Sequence, residues 1–186
     1  MLAYRAGDAA AFDALYERHR GAVFRYLRRQ AGTAPVAEEL FQDVWLKLID
    51  ARGRYEPRAK FTTWLYTIAH NRLMDHFRSA ARAVLVSYED ADHPPEDLPS
   101  AAPLPEQLLE RKQSAARLLA AIDALPPAQR EAVLLQQEAE LTLEEIAAVT
   151  GANRETVKSR LRYAMTKLRA SLGGPAEAED TRLQGA

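Results

Sequence analysis

Apolar positions recur along this chain at helical rather than strand spacing. Phe12, Leu15, Tyr16, His19, Val23 and Leu27 fall three and four residues apart. That period predicts an amphipathic helix running through Gly21, with Arg18, Arg20, Arg25, Arg28 and Arg29 on its outer face. Gly32 and Thr33 break the period, and Pro35 marks the start of a second helix. Glu38 and Glu39 are expected in its first turn, where the positive end of the helix dipole favours acids. This helix is predicted to reach about Ile49, with Val36, Leu40, Val44 and Leu48 turned inward. Gly53, Tyr55 and Pro57 then predict a loop. Leu65, Ile68, Ala69 and Leu73 give a third helix from Phe61 to Arg78, and three such helices make one bundle.

From Ser87 to Pro105 the pattern changes to Pro, Ser, Asp and Glu without a sustained period, which predicts an extended linker. Helical spacing returns at Leu108, Leu118 and Ile122, and Pro126 and Pro127 open a further helix to about Glu138. Thr142 and Glu145 have the spacing of a capping box, Gly151 is placed to end the short helix so begun, and Asn153 is placed to cap the next. Beyond Leu172, Gly, Pro and acidic residues predict a frayed tail. The expected organisation is all-α: a helical domain over 1–82, an acidic linker over 83–110, a second helical domain over 111–172 and a tail over 173–186.

Length and composition narrow the function classes. A chain of 186 residues with 47% hydrophobic content can bury a real core. Its apolar runs are too short for a membrane span, and Met1 to Ala11 lacks the basic start and long apolar run of a signal peptide, so a cytoplasmic location is expected. With no cysteine there is no disulfide framework, thiolate zinc site or thiol nucleophile. A net charge of −1 hides a segregation that points to nucleic acid. Arg154, Lys158, Arg160, Arg162, Lys167 and Arg169 oppose only Glu155 in one short stretch, whereas Glu89 to Glu110 is acidic throughout.

Three constellations carry candidate chemistry. Leu141 to Arg169 has the layout of a helix-turn-helix: a capped short helix, a glycine turn and a longer basic helix. Val157, Leu161, Ala164 and Leu168 share its inward stripe, which leaves Arg154, Lys158, Ser159, Arg162 and Tyr163 free to reach phosphates and base edges. A solvated basic face is the bland alternative, but caps, turn and polarity agree on DNA binding. Phe61 to Asn71 mixes aromatics with hydrogen-bonding groups ahead of Arg72 and Arg78. Trp64 and Tyr66 are expected in the core, while Asn71, Arg72 and the loop Arg54 to Lys60 are surface candidates for single-stranded DNA. On the second helix Glu39, Gln42, Asp43 and Leu46 form a mixed edge opposite the apolar stripe, free for a partner.

Enzyme readings have less support. His70 and His76, even with His19, His93 and Asp75, lack a shared face, since six residues put the first two about two-thirds of a turn out of phase. There is neither a phosphate-binding glycine loop nor a nucleophile elbow in the sequence, so no metal, cofactor or catalytic residue is expected. A stand-alone helix-turn-helix regulator, with residues 1–82 as an oligomerisation or sensing module, and a protein-binding scaffold both explain less, since neither predicts a basic aromatic first module joined by an acidic strap to a second basic one.

Taken in order, these segments resemble the extracytoplasmic-function (ECF) group of the sigma-70 family up to about Leu172. Ala37-Glu38-Glu39-Leu40-Phe41-Gln42-Asp43-Val44-Trp45 is similar to the family's region 2.2, Phe61 to Asp75 to regions 2.3 and 2.4, and Leu143 to Arg169 to region 4.2. The resemblance implies a sigma factor that confers promoter recognition on core RNA polymerase. Glu39, Gln42, Asp43 and Leu46 would dock on the β′ clamp coiled coil, and the second domain would meet the β flap. Tyr55, Glu56, Arg58, Lys60, Asn71, Arg72 and Arg78 would handle the −10 element, with an unstacked base captured near Asn71. Arg154, Thr156, Lys158, Ser159, Arg162 and Tyr163 would read the −35 element as duplex. The acidic linker would thread toward the RNA exit channel, and an anti-sigma factor is the expected regulator. Two positions depart from the family pattern: Glu39 stands where aspartate is common, and Tyr163 where a basic residue is frequent.

Overall fold

The computed structural model describes residues 1–86 and 106–173. Among these residues the chain forms α1 (Leu2–Arg5), α2 (Ala9–Ala31), α3 (Ala34–Asp50), a 3-10 turn (Arg52–Arg54), α4 (Phe61–Val86), α5 (Glu106–Asp123), α6 (Pro127–Glu138), α7 (Leu143–Thr150) and α8 (Arg154–Ser171). None of the described helices is long and apolar enough to cross a membrane.

Local signals set most of these boundaries. Asp8 caps α2 by accepting from the Ala11 N–H at 3.3 Å, and α2 then runs unbroken through Gly21. The α3 helix begins at Ala34 after an extended Thr33, so Pro35 sits at its start. Glu38 and Glu39 therefore fall in the second turn and not, as the sequence suggested, in the first, because Ala34, Pro35 and Val36 occupy the opening positions. The single-turn α1 had no periodic signal. It is fixed by tertiary contacts: Tyr4 is buried, Arg52 lies over its ring at 5.1 Å, and Arg5 donates to the Tyr55 carbonyl at 2.6 Å. Helix α4 continues to Val86 and α5 begins at Glu106, so helix occupies both ends of the 83–110 span read as linker. The acidic stretch from Glu89 to Pro105 lies outside the described residues.

The first unit packs α2, α3 and α4 around Val23, Leu27, Leu40, Val44, Leu48, Leu65 and Leu73, each at most 2% exposed. Burying each such side chain stabilises the fold by roughly 1.5–3 kcal/mol. Phe12, Tyr16, Phe41 and Trp45 add an aromatic cluster along α2 and α3. In the second unit Thr142 accepts from the Glu145 N–H while Glu145 accepts from the Thr142 N–H, which closes the expected capping box. Gly151 takes the left-handed conformation at φ 67°, and Asn153 accepts from the Thr156 N–H at 2.7 Å. This turn seats α8 on α6 and α7 through Val157, Leu161, Ala164 and Leu168.

The two units pack together. Helix α6 lies on α2 and α7 lies on α4, so buried residues of both units join one hydrophobic cluster. Polar bonds cross the same seam: Arg25 pairs with Glu138 at 2.7 Å, Arg29 with Asp123 at 2.6 Å and Lys60 with Glu145 at 3.1 Å.

Candidate nucleic-acid interface

The exposed face of α8 is basic and directed away from its core stripe. Arg154, Lys158, Arg162 and Tyr163 are exposed, and Thr156 and Ser159 are half-buried beside them. Arg154 is not a free cation. Its guanidinium donates to Glu144 at 2.5 Å and to Glu155 at 3.1 Å, which ties the start of α8 to α7. The bond from Arg154 in turn holds the Glu144 carboxyl below its usual range. Lys158 stands 4.0 Å from Glu155 and is more loosely paired. The Arg162 guanidinium carbon lies over the Tyr163 ring at 5.0 Å, so a cation and an aromatic face sit together on the exposed side of α8. The dipole of α8, capped by Asn153, adds positive potential at its start.

The first unit offers a second polar surface where the loop after α3 meets α4. An open groove of about 340 Å³ is lined by Arg54, Trp64, Asn71 and Arg72, with Lys47, Asp50 and Asp75 at its acidic and basic margins. Two of the predicted residues, Asn71 and Arg72, thus meet in one concavity. Arg54 joins them from within the loop that the sequence singled out, whereas Trp64 lines the groove while half-buried. From sequence, Trp64 is expected in the core with Tyr66; Tyr66 is buried there, whereas one edge of Trp64 is left open to the groove.

The other −10 candidates are placed differently. Tyr55 is 5% exposed and stacks edge-on against Trp64 at 4.9 Å, so it anchors the loop from beneath. Glu56 pairs with Arg58 at 2.5 Å on the exposed loop, and Lys60 is held by Glu145 of the second unit. Arg78 lies almost two turns beyond Asn71 on α4, bonded to Asp75 at 2.7 Å.

On α3, Glu39 and Gln42 are exposed and Leu46 is 57% exposed, so they share an open edge. Asp43 is half-buried and accepts a charge-assisted bond from Arg72. That bond joins the α3 edge to the groove. Among the described residues the histidines lie apart from one another. His19 rests against the Phe61 ring at 5.2 Å, and burial, then Arg18, lowers its pKa. His70 meets Glu131 at 2.6 Å, and His76 meets the Phe77 ring.

Comparison with known proteins agrees with this layout. A profile described as Sigma-70 region 2 matches residues 15–83, and one described as Sigma-70, region 4 matches residues 121–170. The chain is 36% identical over 174 residues to the RNA polymerase sigma factor CarQ of Myxococcus xanthus, covering 93% of this chain and 95% of that protein. It is also 36% identical over 166 residues to the ECF RNA polymerase sigma factor RpoE of Cereibacter sphaeroides, covering 87% and 86% respectively. Its fold is similar to that of the sigma factor RpoE solved with the anti-sigma factor NepR from Bartonella quintana, with a TM-score of 0.72, 23% identity and 88% and 97% of the two chains covered. A helical unit with a polar groove, followed by a capped helix-turn-helix and matched in that order by both family regions, makes this chain a member of the ECF group of the sigma-70 family of bacterial RNA polymerase sigma factors.

Proposed function

We propose that the protein binds core RNA polymerase through the exposed edge of α3 and reads a promoter with two chemically different surfaces. The observation that carries this reading is the adjacency on one unit of an open docking edge and a groove holding Asn71, while a basic helix-turn-helix stands on the other. Glu39, Gln42 and Leu46 supply an edge for the clamp coiled coil of β′, with Asp43 bridging to Arg72. Arg54, Asn71 and Arg72 take an extruded base of the −10 strand: an amide satisfies a base edge, Trp64 offers a ring face, and the guanidinium groups meet phosphate. Tyr55 supports this loop from the core, and Glu56, Arg58, Lys60 and Arg78 flank the strand path. Lys158 and Arg162, with Arg154, Thr156, Ser159 and Tyr163 around them, enter the −35 major groove as the second unit rests on the β flap. The protein works with polymerase in the cytoplasm, needs no cofactor and leaves catalysis to its partner. An anti-sigma factor is its regulator: the relative solved from Bartonella quintana was captured with one.

The test uses the chain reconstituted with core polymerase. Asn71→Ala, at an exposed position of α4, reduces open-complex formation more than closed-duplex binding, and a pre-melted promoter restores part of the loss by supplying the unpairing energy. Permanganate reactivity of unpaired thymines, measured beside duplex binding, separates the two steps. Equal losses in both assays would remove Asn71 from strand capture, and a wild-type chain that gave no promoter-dependent initiation would remove the whole reading.

A further inference from the structure

The loop that brings Arg54 to the groove has little of its own to hold it. From Arg52 to Lys60 only Tyr55 is buried, and every other residue is exposed. Its backbone bonds are short-range: the Arg54 N–H donates to the Ala51 carbonyl at 3.0 Å, the Tyr55 N–H to the Arg52 carbonyl at 3.3 Å and the Arg58 N–H to the Glu56 carbonyl at 2.8 Å. A segment so thinly tied opens locally at low cost unless another element restrains it.

The single turn α1 supplies that restraint at two successive points. Tyr4, 7% exposed and tilted against Phe12 of α2 at 5.1 Å, lies beneath the Arg52 guanidinium, which sits 5.1 Å from its ring. The Arg5 guanidinium donates to the Tyr55 carbonyl at 2.6 Å, across 50 residues of sequence. Arg54 stands between these two points, so its backbone is fixed from both sides. Tyr55 passes the restraint onward: its ring meets Trp64 edge-on at 4.9 Å, and Arg54 and Trp64 both line the groove beside Asn71. Gly7, at φ 107°, lets the chain turn after α1 and enter α2 at the Asp8 cap.

We propose that α1 is a brace for strand capture, with Arg5 and Tyr4 as positioning residues that hold Arg54 and Trp64 in place for the extruded base. The inference rests on the promoter reading above and gives a role to a segment which that reading left without one. Its chemistry suits a brace. A guanidinium bonded to a carbonyl makes a short, charge-assisted contact, and a second guanidinium over a buried ring adds a cation–π contact that needs no exact direction. Lys60 of the same loop is held by Glu145 of the second unit, whereas Arg5 and Tyr4 belong to the unit that carries the groove. Their restraint therefore depends on no contact between units. A groove whose walls are already in place loses less binding free energy to ordering them.

The test compares Arg5→Ala, Arg5→Lys and Tyr4→Leu with the parent, each as the full chain reconstituted with core polymerase. Arg5 is exposed, so its variants are expected to keep full helicity. In Arg5→Ala the amides of Arg54, Tyr55 and Arg58 exchange with deuterium about threefold to tenfold faster, as the loss of one partly exposed charge-assisted bond requires, while those of α2 and α3 are unchanged. Open-complex formation, read by permanganate, falls by a similar factor, and affinity for core polymerase and for closed duplex does not change. Arg5→Lys, whose ammonium can still reach the carbonyl, recovers part of both losses. Tyr4→Leu keeps a buried apolar contact, removes the ring beneath Arg52 and gives a smaller change in the same direction. Unchanged loop exchange in Arg5→Ala overturns the brace. Faster exchange with normal strand opening overturns its part in strand capture. A strand-opening defect with unchanged exchange means that Arg5 meets the DNA itself, which overturns the positioning role. Asn71→Ala, measured beside these variants, separates the brace from the reading on which it rests. If Asn71→Ala loses strand opening and Arg5→Ala does not, the brace alone falls; if neither loses it, the groove is not where the strand is captured, and both fall.

Discussion

Glu145 connects secondary structure, pH and the contact between units. Its carboxylate accepts from the Thr142 N–H at 2.8 Å, closes the capping box of α7 and reaches Lys60 at 3.1 Å. The Thr142 backbone bond, followed by Lys60, holds its pKa below the ordinary 4.5. A carboxyl whose folded pKa is depressed contributes stability that is fully present above its unfolded value and is lost as pH falls through the folded one. The acid limb of the stability curve should therefore begin near pH 4.5 for this group, and Glu145→Gln should flatten that part of it. Thr142→Ala, which removes the reciprocal half of the box, should cost about 1 kcal/mol in urea unfolding at neutral pH. The capping box was legible from the spacing of Thr142 and Glu145, because capping is a local event three residues long. The second partner, Lys60, was not legible, because 85 residues separate it from Glu145.

At the scale of elements, α8 and the α3 edge were readable for the same reason: an inward apolar stripe leaves an outward face whose chemistry can be named. Val157, Leu161, Ala164 and Leu168 are buried as their spacing required, and so are Leu40, Val44 and Leu48. What the pattern lacked was side-chain pairing on the outward face. Arg154 looked equivalent to Lys158 and Arg162, yet its bond to Glu144 joins α7 to α8. Lys158→Ala with Arg162→Ala is therefore the cleaner test, since neither residue anchors the turn. Filter binding of an upstream duplex by the reconstituted holoenzyme should weaken, and its logarithmic salt slope should fall by about 1 for each phosphate that is no longer neutralised. An unchanged slope would take these cations off the DNA. Asp43 similarly looked like a free member of the docking edge, but it bonds to Arg72. Reversing its charge would disturb the groove as well as the edge. Glu39→Arg with Gln42→Ala leaves that bond intact and should lower affinity for core polymerase in a competition assay, with helicity preserved. Full affinity in that variant would move the docking surface elsewhere.

The way the two units meet was the least legible feature at the scale of the whole molecule. Each helix announced one buried face, but α2, α4 and α6 bury more than one, and periodicity does not say which neighbour covers the second. Tyr26 stood out in no pattern of the sequence, and His70 drew notice as a metal-ligand candidate. The structure gives both residues a common partner 105 and 61 residues away. Two kinds of polar contact cross the seam beside its apolar packing, and their magnitudes differ. The Arg25–Glu138 pair has an Arg side chain 60% exposed, so water and salt screen it, and such pairs couple by about 0.2–1 kcal/mol. Removing the Tyr26 hydroxyl leaves a buried acceptor short of a donor, which costs about 1–3 kcal/mol. A double-mutant cycle of Arg25→Ala and Glu138→Ala, read by urea unfolding, should give a coupling below about 1 kcal/mol at moderate salt. That coupling should vanish near 1 M salt, where the screening length is about 3 Å. Tyr26→Phe should destabilise the chain more than that coupling does, and its effect should hardly change with salt because the bond is buried. If the exposed pair instead gave the larger and salt-resistant term, the border of the seam rather than Glu131 would be its stronger polar contact.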